Sequence, residues 1–400
     1  MKIMVLPGTI WQIPLIKKIK YMGHKVYLVN PTRNDEIVNL ADEYLQADIF
    51  DYDRIIFYCK ENGIDVVISD ECDIATEVVS HINAAIGANC ITGKMAELFS
   101  NKFRMREFCA QNDIHSIPAY RLCSTVEEAI DFYTDYGPKI ILKPVDSNAS
   151  HGVFTITKIE DLEKLFEESL RFSRRERTVL VESFIEGPEF TVDGIMTGQG
   201  HTTLAISKKE HYKHNENIAC ALMFEQSNAE YDYDLLRKTN DELLNKTGLP
   251  FGLTHVEYKY CDGKYYLIEM AARGGGNLIS AQIVPFLSGI DNYKYLINKS
   301  LDNEYSDEII LKSMDNRVAE LRFFDFPNSD GVVQAIYGED YLKEESRITN
   351  YKLNFGVGDV IARPENDSVR LGYYIICAES KEELKQVETQ VKQKVRIDVE

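Results

Sequence analysis

Thr254-His255-Val256-Glu257-Tyr258-Lys259-Tyr260-Cys261-Asp262-Gly263-Lys264-Tyr265-Tyr266-Leu267-Ile268-Glu269-Met270-Ala271 is the stretch on which the reading of the chain turns. Two runs rich in β-branched and aromatic residues flank a turn that contains glycine, the pattern of an antiparallel hairpin. Side chains alternate faces with a period of two. Val256, Tyr258, Ile268 and Met270 then share an apolar face. A three-residue turn at Asp262-Gly263-Lys264 sets Glu257 directly opposite Glu269, whereas a two-residue Asp-Gly turn sets Glu257 against Ile268 and spoils the pair. Two facing carboxylates repel. A hard cation relieves that repulsion, and Mg²⁺ (or Mn²⁺) takes one or two carboxylates together with phosphate oxygens. The first expectation is therefore a metal pair, Glu257 and Glu269, on one face and turned toward a cleft. An accidental acidic pair on a solvated face is the competing reading.

Downstream lie Ala272-Arg273-Gly274-Gly275-Gly276-Asn277. The glycines permit positive φ and let backbone approach a ligand closely. The Arg273 guanidinium beside two metal carboxylates can hold a carboxylate or a transferring phosphoryl group.

Upstream, Lys143 ends an apolar strand and precedes Pro144-Val145-Asp146-Ser147-Asn148-Ala149-Ser150-His151-Gly152. Ser147, Ser150 and Gly152 belong to a loop of small residues whose N–H groups and hydroxyls suit phosphate oxygens. Next, Val179-Leu180-Val181-Glu182-Ser183-Phe184-Ile185-Glu186-Gly187-Pro188-Glu189 delivers an apolar hinge whose exposed backbone can pair with an adenine edge, with Glu189 placed for ribose hydroxyls. Lys208 and Lys209 follow on a strand, and one of them, with Lys208 the candidate, is expected to reach a γ-phosphate. An exposed loop, an acidic surface hairpin and solvent-facing lysines are the respective alternatives. His211 and His214 read as a polar loop.

In order and spacing these residues resemble the ATP-grasp superfamily of ligases, and the Gly252–Glu257 run with Ala-Arg-Gly-Gly after the second glutamate is similar to the branch that holds the L-amino-acid ligases and carbamoyl-phosphate-synthase-like enzymes. The resemblance implies ATP and Mg²⁺ (or Mn²⁺) as cofactors. It places Lys102 and Lys143 on the α and β phosphates, Glu182, Ser183 and Ile185 at the hinge, Glu189 at the ribose, Glu257 and Glu269 on the metal and Arg273 at the substrate. It also implies an acyl phosphate, with a carboxylate joined to an amine (or thiol) and ADP and phosphate released. Three positions depart from the pattern. Ala271 stands where a metal-binding asparagine is usual, Ala149 where glycine is common, and Asn277 where the biotin carboxylase branch has a catalytic glutamate. Asn277 argues against carboxylation of biotin. Ala271 keeps a non-catalytic nucleotide-binding regulator in view, beside a bicarbonate-using or carbamoyl-phosphate-type enzyme.

The fold class expected is α/β and α+β, multidomain. A Rossmann-like domain spans 1–95, where strands Lys2 to Leu6, Lys25 to Asn30 and Val66 to Ser69 alternate with helices. Pro7-Gly8-Thr9 lacks a dinucleotide fingerprint, so this domain reads as a scaffold lining a cleft. A two-lobed ATP-grasp domain spans 96–300, opened by one helix from Met95 to Asn112 and carrying a mobile lid at about 117–181. A C-terminal α+β domain spans 301–400, with Arg322 a structural ion pair or a wall residue.

With 45 Lys and Arg against 64 Asp and Glu, the net charge of −19 disfavours nucleic acid and anionic membranes. The basic run Arg174, Arg175 and Arg177 reads as a solvated turn. Eight cysteines without a Cys-x-x-Cys pair suit reduced thiols in the cytoplasm. No apolar run approaches the ~20 residues that span a bilayer. The expected partners are ATP and small-molecule carboxylate and amine substrates, with neither nucleic acid nor membrane; a homodimer is compatible with the sequence.

Overall fold

The computed structural model describes residues 1–147, 151–173, 177–311, 316–326 and 329–400. The chain begins with a parallel sheet of four strands, in the order Glu43–Gln46, Lys25–Asn30, Lys2–Val5, Val66–Ile68. Both faces of its three inner-core strands, Lys25–Asn30, Lys2–Val5 and Val66–Ile68, are buried, which is why these read as apolar runs and not as alternating ones, whereas Glu43–Gln46 at the edge is half-exposed. Ile3, Val5, Val26, Leu28, Val66 and Ile68 face one core, and Met4, Tyr27, Val29 and Val67 face another against Ile55, Cys59, Val78 and Ile82. Three of the four strands and the helices Ile13–Tyr21 and Tyr52–Asn62 lie where the apolar pattern predicts them. The strand Glu43–Gln46 and the helix Ala75–Ile86 had no sequence reading.

The expected single helix from Met95 to Asn112 is two, Gly93–Leu98 and Lys102–Gln111. Asn101 caps the second through its side chain, which accepts from the N–H groups of Phe103 and Arg104. This break starts a new helix at Lys102 and aims its side chain at the cleft.

A four-stranded antiparallel sheet follows, in the order Tyr120–Cys123, Val179–Ser183, Ile140–Pro144, Phe154–Ile156. Its helices Val126–Tyr136 and Leu162–Leu170 pack on one face, against Cys123, Ile140, Leu142, Val179 and Val181. Alternation sends Ile141, Lys143, Leu180 and Glu182 to the other face.

The largest sheet has eight strands, in the order Lys264–Ala271, Gly252–Cys261, Glu189–Thr197, Gly200–Tyr212, Asn215–Phe224, Val318–Phe323, Gly372–Ala378, Ile348–Leu353. It runs on past residue 300, so the C-terminal segment shares hydrogen bonds with the sheet that carries the hairpin. The helix Tyr233–Thr247 covers one face and was not read from the sequence. Gly331–Tyr337, Val360–Ile361 and Arg396–Val399 make a small separate sheet. Among the described residues no helix is long and apolar enough to cross a membrane. All eight cysteines are unbridged, Cys59, Cys109, Cys123 and Cys377 being buried.

Candidate active site

The hairpin keeps the pairing and changes the reason for it. Asp262 and Gly263 both have positive φ, 48° and 77°, and Cys261 pairs with Lys264 across them. The turn is thus the two-residue one, with both central residues left-handed, and not the expected three-residue turn. By itself it would set Glu257 against Ile268. A β-bulge between Glu257 and Tyr258 in the register absorbs one residue of the partner strand, and Glu257 pairs with Glu269 after all. Tyr258 then faces Leu267, while Ile268 leaves the apolar face on which the simple alternation put it and lines the cleft. Arg106, fully buried, fixes the bulge by donating from Nη2 to the Ile268 carbonyl at 2.7 Å.

The cleft into which Glu257 and Glu269 project has a volume of about 430 Å³. Cations and carboxylates alternate along it. Lys102 Nζ donates to Glu269 at 2.8 Å and to the Ser147 carbonyl at 2.9 Å. Lys143 Nζ lies 2.6 Å from one oxygen of Glu182, and Arg106 Nε lies 2.6 Å from the other. Lys209 Nζ bridges Glu189 and Glu257, the latter at 2.7 Å. Burial alone would raise the Glu257 carboxyl, but Lys209 and His255 outweigh it and hold it well below the usual carboxylate range. Burial opposes the charge on His255, yet Asp193, 3.0 Å from Nδ1, prevails and lifts the imidazole to about 9.

Several expected residues are brought together. Lys102, Lys143, Ser147, Glu182, Ser183, Ile185, Glu189, Glu257, Glu269 and Arg273 all line the cleft. Ser150 lies outside the described residues, as do Ala149, Arg174 and Arg175. Gly152 is not part of the cleft wall; at φ 74° it turns the loop where a Cβ would meet Phe172 and Pro144 at 2.9 Å. Lys208 is corrected. It faces away from the cleft, over the Tyr231 ring at 4.8 Å, and Lys209 occupies the position sought. His211 also departs from the polar-loop reading, since it ends a strand, lines the cleft and lies 3.5 Å from Glu189. Arg322 is the structural ion pair, with Glu320 at 2.7 Å and Glu210 at 3.1 Å.

The hinge is tighter than a bare adenine edge. The Ser183 N–H donates to the Ala119 carbonyl at 2.9 Å, and its hydroxyl accepts from the Ala119 N–H at 3.0 Å. The side chain of Glu182 is engaged by Lys143 and Arg106. Arg273 is likewise engaged, holding Asp73 of the first sheet's loop through Nε at 2.7 Å and Nη2 at 2.8 Å. The first two glycines after it approach buried carboxylates, the Gly274 N–H donating to Asp70 at 2.7 Å and the Gly275 N–H to Asp193 at 2.9 Å, while Gly276 lines the cleft. A Cβ on Gly275 would stand 2.6 Å from Asp193 Oδ1.

Sequence reading missed Arg106, Asp73 and His255. Arg106 had a signal, since it follows Lys102 by one helical turn and shares its face. Asp73 joins the site only through the packing of the first sheet on the large one.

Among the described residues no group of three or more His, Cys, Asp and Glu side chains is arranged to hold a metal ion. Two carboxylates on facing strands do suit Mg²⁺, which takes few protein ligands and completes its shell with phosphate and water.

The fold and this alternation of lysines and carboxylates are those that the resemblance to ATP-grasp ligases leads one to expect. Residues 137–282 match the family described as ATP-grasp domain. Residues 323–400 match the family described as L-amino acid ligase C-terminal domain 2. The phosphoribosylamine–glycine ligase of Pyrococcus horikoshii is 24% identical over 270 residues, covering 63% of this chain and 62% of that protein. An uncharacterised protein of Sinorhizobium fredii is 24% identical over 284 residues, covering 70% of this chain and 57% of that one. The chain thus aligns with less than two thirds of the length of these relatives. In structure it resembles the L-amino acid ligase of Bacillus licheniformis, with a TM-score of 0.83 at 18% identity over 100% of this chain and 98% of that one. The phosphoribosylglycinamide synthetase of Anaerococcus prevotii gives a TM-score of 0.76, also at 18% identity, over 100% and 99%.

Lys208 and Lys209 make a matched pair for a test. Lys209→Ala removes the charge that holds Glu189 and Glu257 in place, and kcat/KM for ATP should fall by about 10- to 100-fold, the scale of lost charge-assisted hydrogen bonds. Lys208→Ala should stay within about twofold, as a half-buried side chain that does not line the cleft. Steady-state ADP release for both variants checks the assignment, and the reverse order would refute it.

Proposed function

We propose that the chain is an ATP-dependent ligase that activates a carboxylate as an acyl phosphate and joins it to an amine (or thiol), releasing ADP and phosphate. The observation that carries the proposal is Glu257 facing Glu269 across the bulged hairpin, in a cleft where Lys102, Lys143 and Lys209 converge. We take 1–95 as the scaffold domain, 96–300 as the grasp with its lid at about 117–181, and 301–400 as the C-terminal domain. We place the protein in the cytoplasm, with small molecules as partners and neither nucleic acid nor membrane.

Lys102 and Lys143 bind the inner phosphates, Ile185 and the hinge bind the base, and Glu189 binds the ribose after exchange with Lys209. When bound by Glu257 and Glu269, Mg²⁺ supplies charge neutralisation at the outer phosphates. Arg273 closes the substrate end. Its two-pronged grip on Asp73, with Nη1 donating to the Gly274 carbonyl at 2.8 Å, fixes the plane of the guanidinium. Positioning and charge compensation carry the step, because phosphoryl transfer needs little covalent chemistry from protein groups. The γ-phosphorus–oxygen bond to ADP breaks as the substrate carboxylate oxygen bonds to phosphorus. The amine then attacks the acyl carbon and phosphate leaves.

Phosphorus NMR of a reaction mixture with a panel of amino acids as both acid and amine tests the reading. ADP and inorganic phosphate are the expected products. AMP and pyrophosphate would overturn the mechanism, and nucleotide binding without turnover across the panel would favour a regulatory protein.

A further inference from the structure

Six buried polar atoms without a hydrogen-bond partner belong to two stretches of chain that meet at the loop after Arg273. Ser69 Oγ, Asp70 Oδ2 and Glu71 Oε1 follow the strand Val66–Ile68, and Ser280 Oγ, Asn292 Oδ1 and Tyr293 OH follow the glycines. Buried polar atoms are nearly always satisfied, so a gathering of exceptions calls for a partner.

The two stretches are joined at Asp70. Its Oδ1 accepts from the Gly274 N–H at 2.7 Å. A Cβ on Gly274 would collide with Ser280 Oγ and stand 3.1 Å from Asp70 Oδ1, so hydroxyl and carboxylate fill the space of one missing side chain. Burial pushes the Asp70 carboxyl up, against the pull of the Gly274 N–H and of the nearby Ser280 and Tyr293 hydroxyls. Yet neither hydroxyl makes a hydrogen bond of ordinary geometry, and neither does Asp70 Oδ2. Asp70 and Ser280 are 1% exposed and Tyr293 6%, so bulk water does not serve them. Arg273 is committed to Asp73, and among the described residues no ion pair reaches Asp70 or Glu71. Burial and the Asp70 charge together push the Glu71 carboxyl well above the usual carboxylate range.

The surroundings hold these oxygens in place. The amide of Gln12, itself buried, clamps the Asp70 backbone, donating to its carbonyl at 2.6 Å and accepting from its N–H at 3.4 Å. Asn292 Nδ2 donates to the Ser280 carbonyl at 2.9 Å. Ser280 lies in the π-helical turn Ile279–Ile283, entered through two left-handed residues, Asn277 at φ 54° and Leu278 at φ 66°. Glu71, at φ 55°, accepts from the Leu278 N–H at 3.1 Å. Such strain persists only where the surroundings enforce it.

We propose that Asp70 Oδ2, Ser280 Oγ and Tyr293 OH bind a monovalent cation, potassium or sodium, which ties the first sheet to the loop that carries Arg273. Hard cations take oxygen ligands, and neutral oxygen dipoles replace the hydration shell of an alkali ion. One carboxylate among neutral oxygens balances a single charge. The three ligands include neither nitrogen nor sulfur, which sets aside zinc and copper. Ser280 and Tyr293 also line a groove of about 540 Å³ beside the helix Ile13–Tyr21, which gives the ion a route from solvent. The assignment stands on the fold and does not need the ligase reading.

Thermal unfolding of the full chain, without nucleotide, tests it in potassium, sodium and choline chlorides at one ionic strength, with magnesium and calcium chlorides as further arms. One alkali salt at least should raise Tm by about 3 °C or more over choline, which is too large for the site, and the larger rise identifies the ion. Asp70→Asn should unfold at the same temperature in the alkali and choline salts. Tyr293→Phe, which removes one oxygen and keeps the ring, should move the midpoint of the alkali titration up by about 10-fold. Equal Tm in alkali and choline salts overturns the assignment and leaves a proton on Asp70 or a buried water in its place. A rise of wild-type size in Asp70→Asn overturns it too, as does stabilisation by magnesium or calcium alone. Should Asp70→Asn fail to fold, an unchanged midpoint in Tyr293→Phe decides against it.

Discussion

Replacing Glu269 by glutamine should lower turnover by at least about 10³-fold, the scale on which metal ions stabilise charge in such transition states. Glu269 faces Glu257 across the hairpin and is at the same time the partner of Lys102 at 2.8 Å. The substitution therefore does two separable things. It halves the carboxylate charge offered to Mg²⁺, and it releases Lys102 toward the phosphates. Calorimetry without Mg²⁺ should show ATP affinity kept or improved, because a lysine that no longer serves a carboxylate is available to an anion. In the presence of Mg²⁺ the usual gain in affinity should be lost, and steady-state assays should show kcat, not KM, carrying most of the defect. Turnover within about tenfold of wild type would remove Glu269 from the metal site.

How much of this was legible in the sequence differs from residue to residue, for physical reasons. The pairing of Glu257 with Glu269 was legible because period-two alternation is local. The turn was read wrongly because Asp262-Gly263 permits a two-residue loop, and the bulge that restores the register answers to Arg106, a residue 162 positions away from Ile268. Lys208 and Lys209 illustrate the limit of alternation. It says that neighbours face opposite ways, but the choice of face is made by tertiary packing, here Glu189 and Glu257 on one side and Tyr231 on the other. The helix break before Lys102 had its signal in Asn101, a capping residue, but apolar residues continue on both sides and hide it. Engagement of Ser183 by Ala119 and of Arg273 by Asp73 was not legible at all, since each joins elements far apart in the chain.

The second large effect is expected at the triad of Arg106, Glu182 and Lys143. Arg106 is fully buried, Glu182 is 2% exposed and Lys143 4% exposed. Two cations thus share one carboxylate. Burial lowers the Lys143 ammonium below the usual lysine range, with Arg106 and Lys102 adding to the effect against the pull of Glu182. Burial would raise the Glu182 carboxyl, but Arg106 and Lys143 outweigh it and lower it. With both cations charged the cluster is one positive charge in excess, which suits it to a phosphate oxygen. The two halves of the cluster should then separate in experiment. Lys143→Met leaves a neutral Arg106–Glu182 pair, so stability should change by no more than about 1 kcal/mol, while ATP affinity falls by about 100-fold with the lost charge-assisted contact. Glu182→Gln leaves two buried cations without a counter-charge and should cost about 3–5 kcal/mol. Saturating ATP should recover part of that loss, because its phosphates take the place of the missing anion. Denaturant unfolding with and without ATP, paired with calorimetry on both variants, reads all four quantities. A Lys143→Met protein that loses several kcal/mol of stability yet keeps its ATP affinity would show that Lys143 serves the core of the lid and not the phosphates.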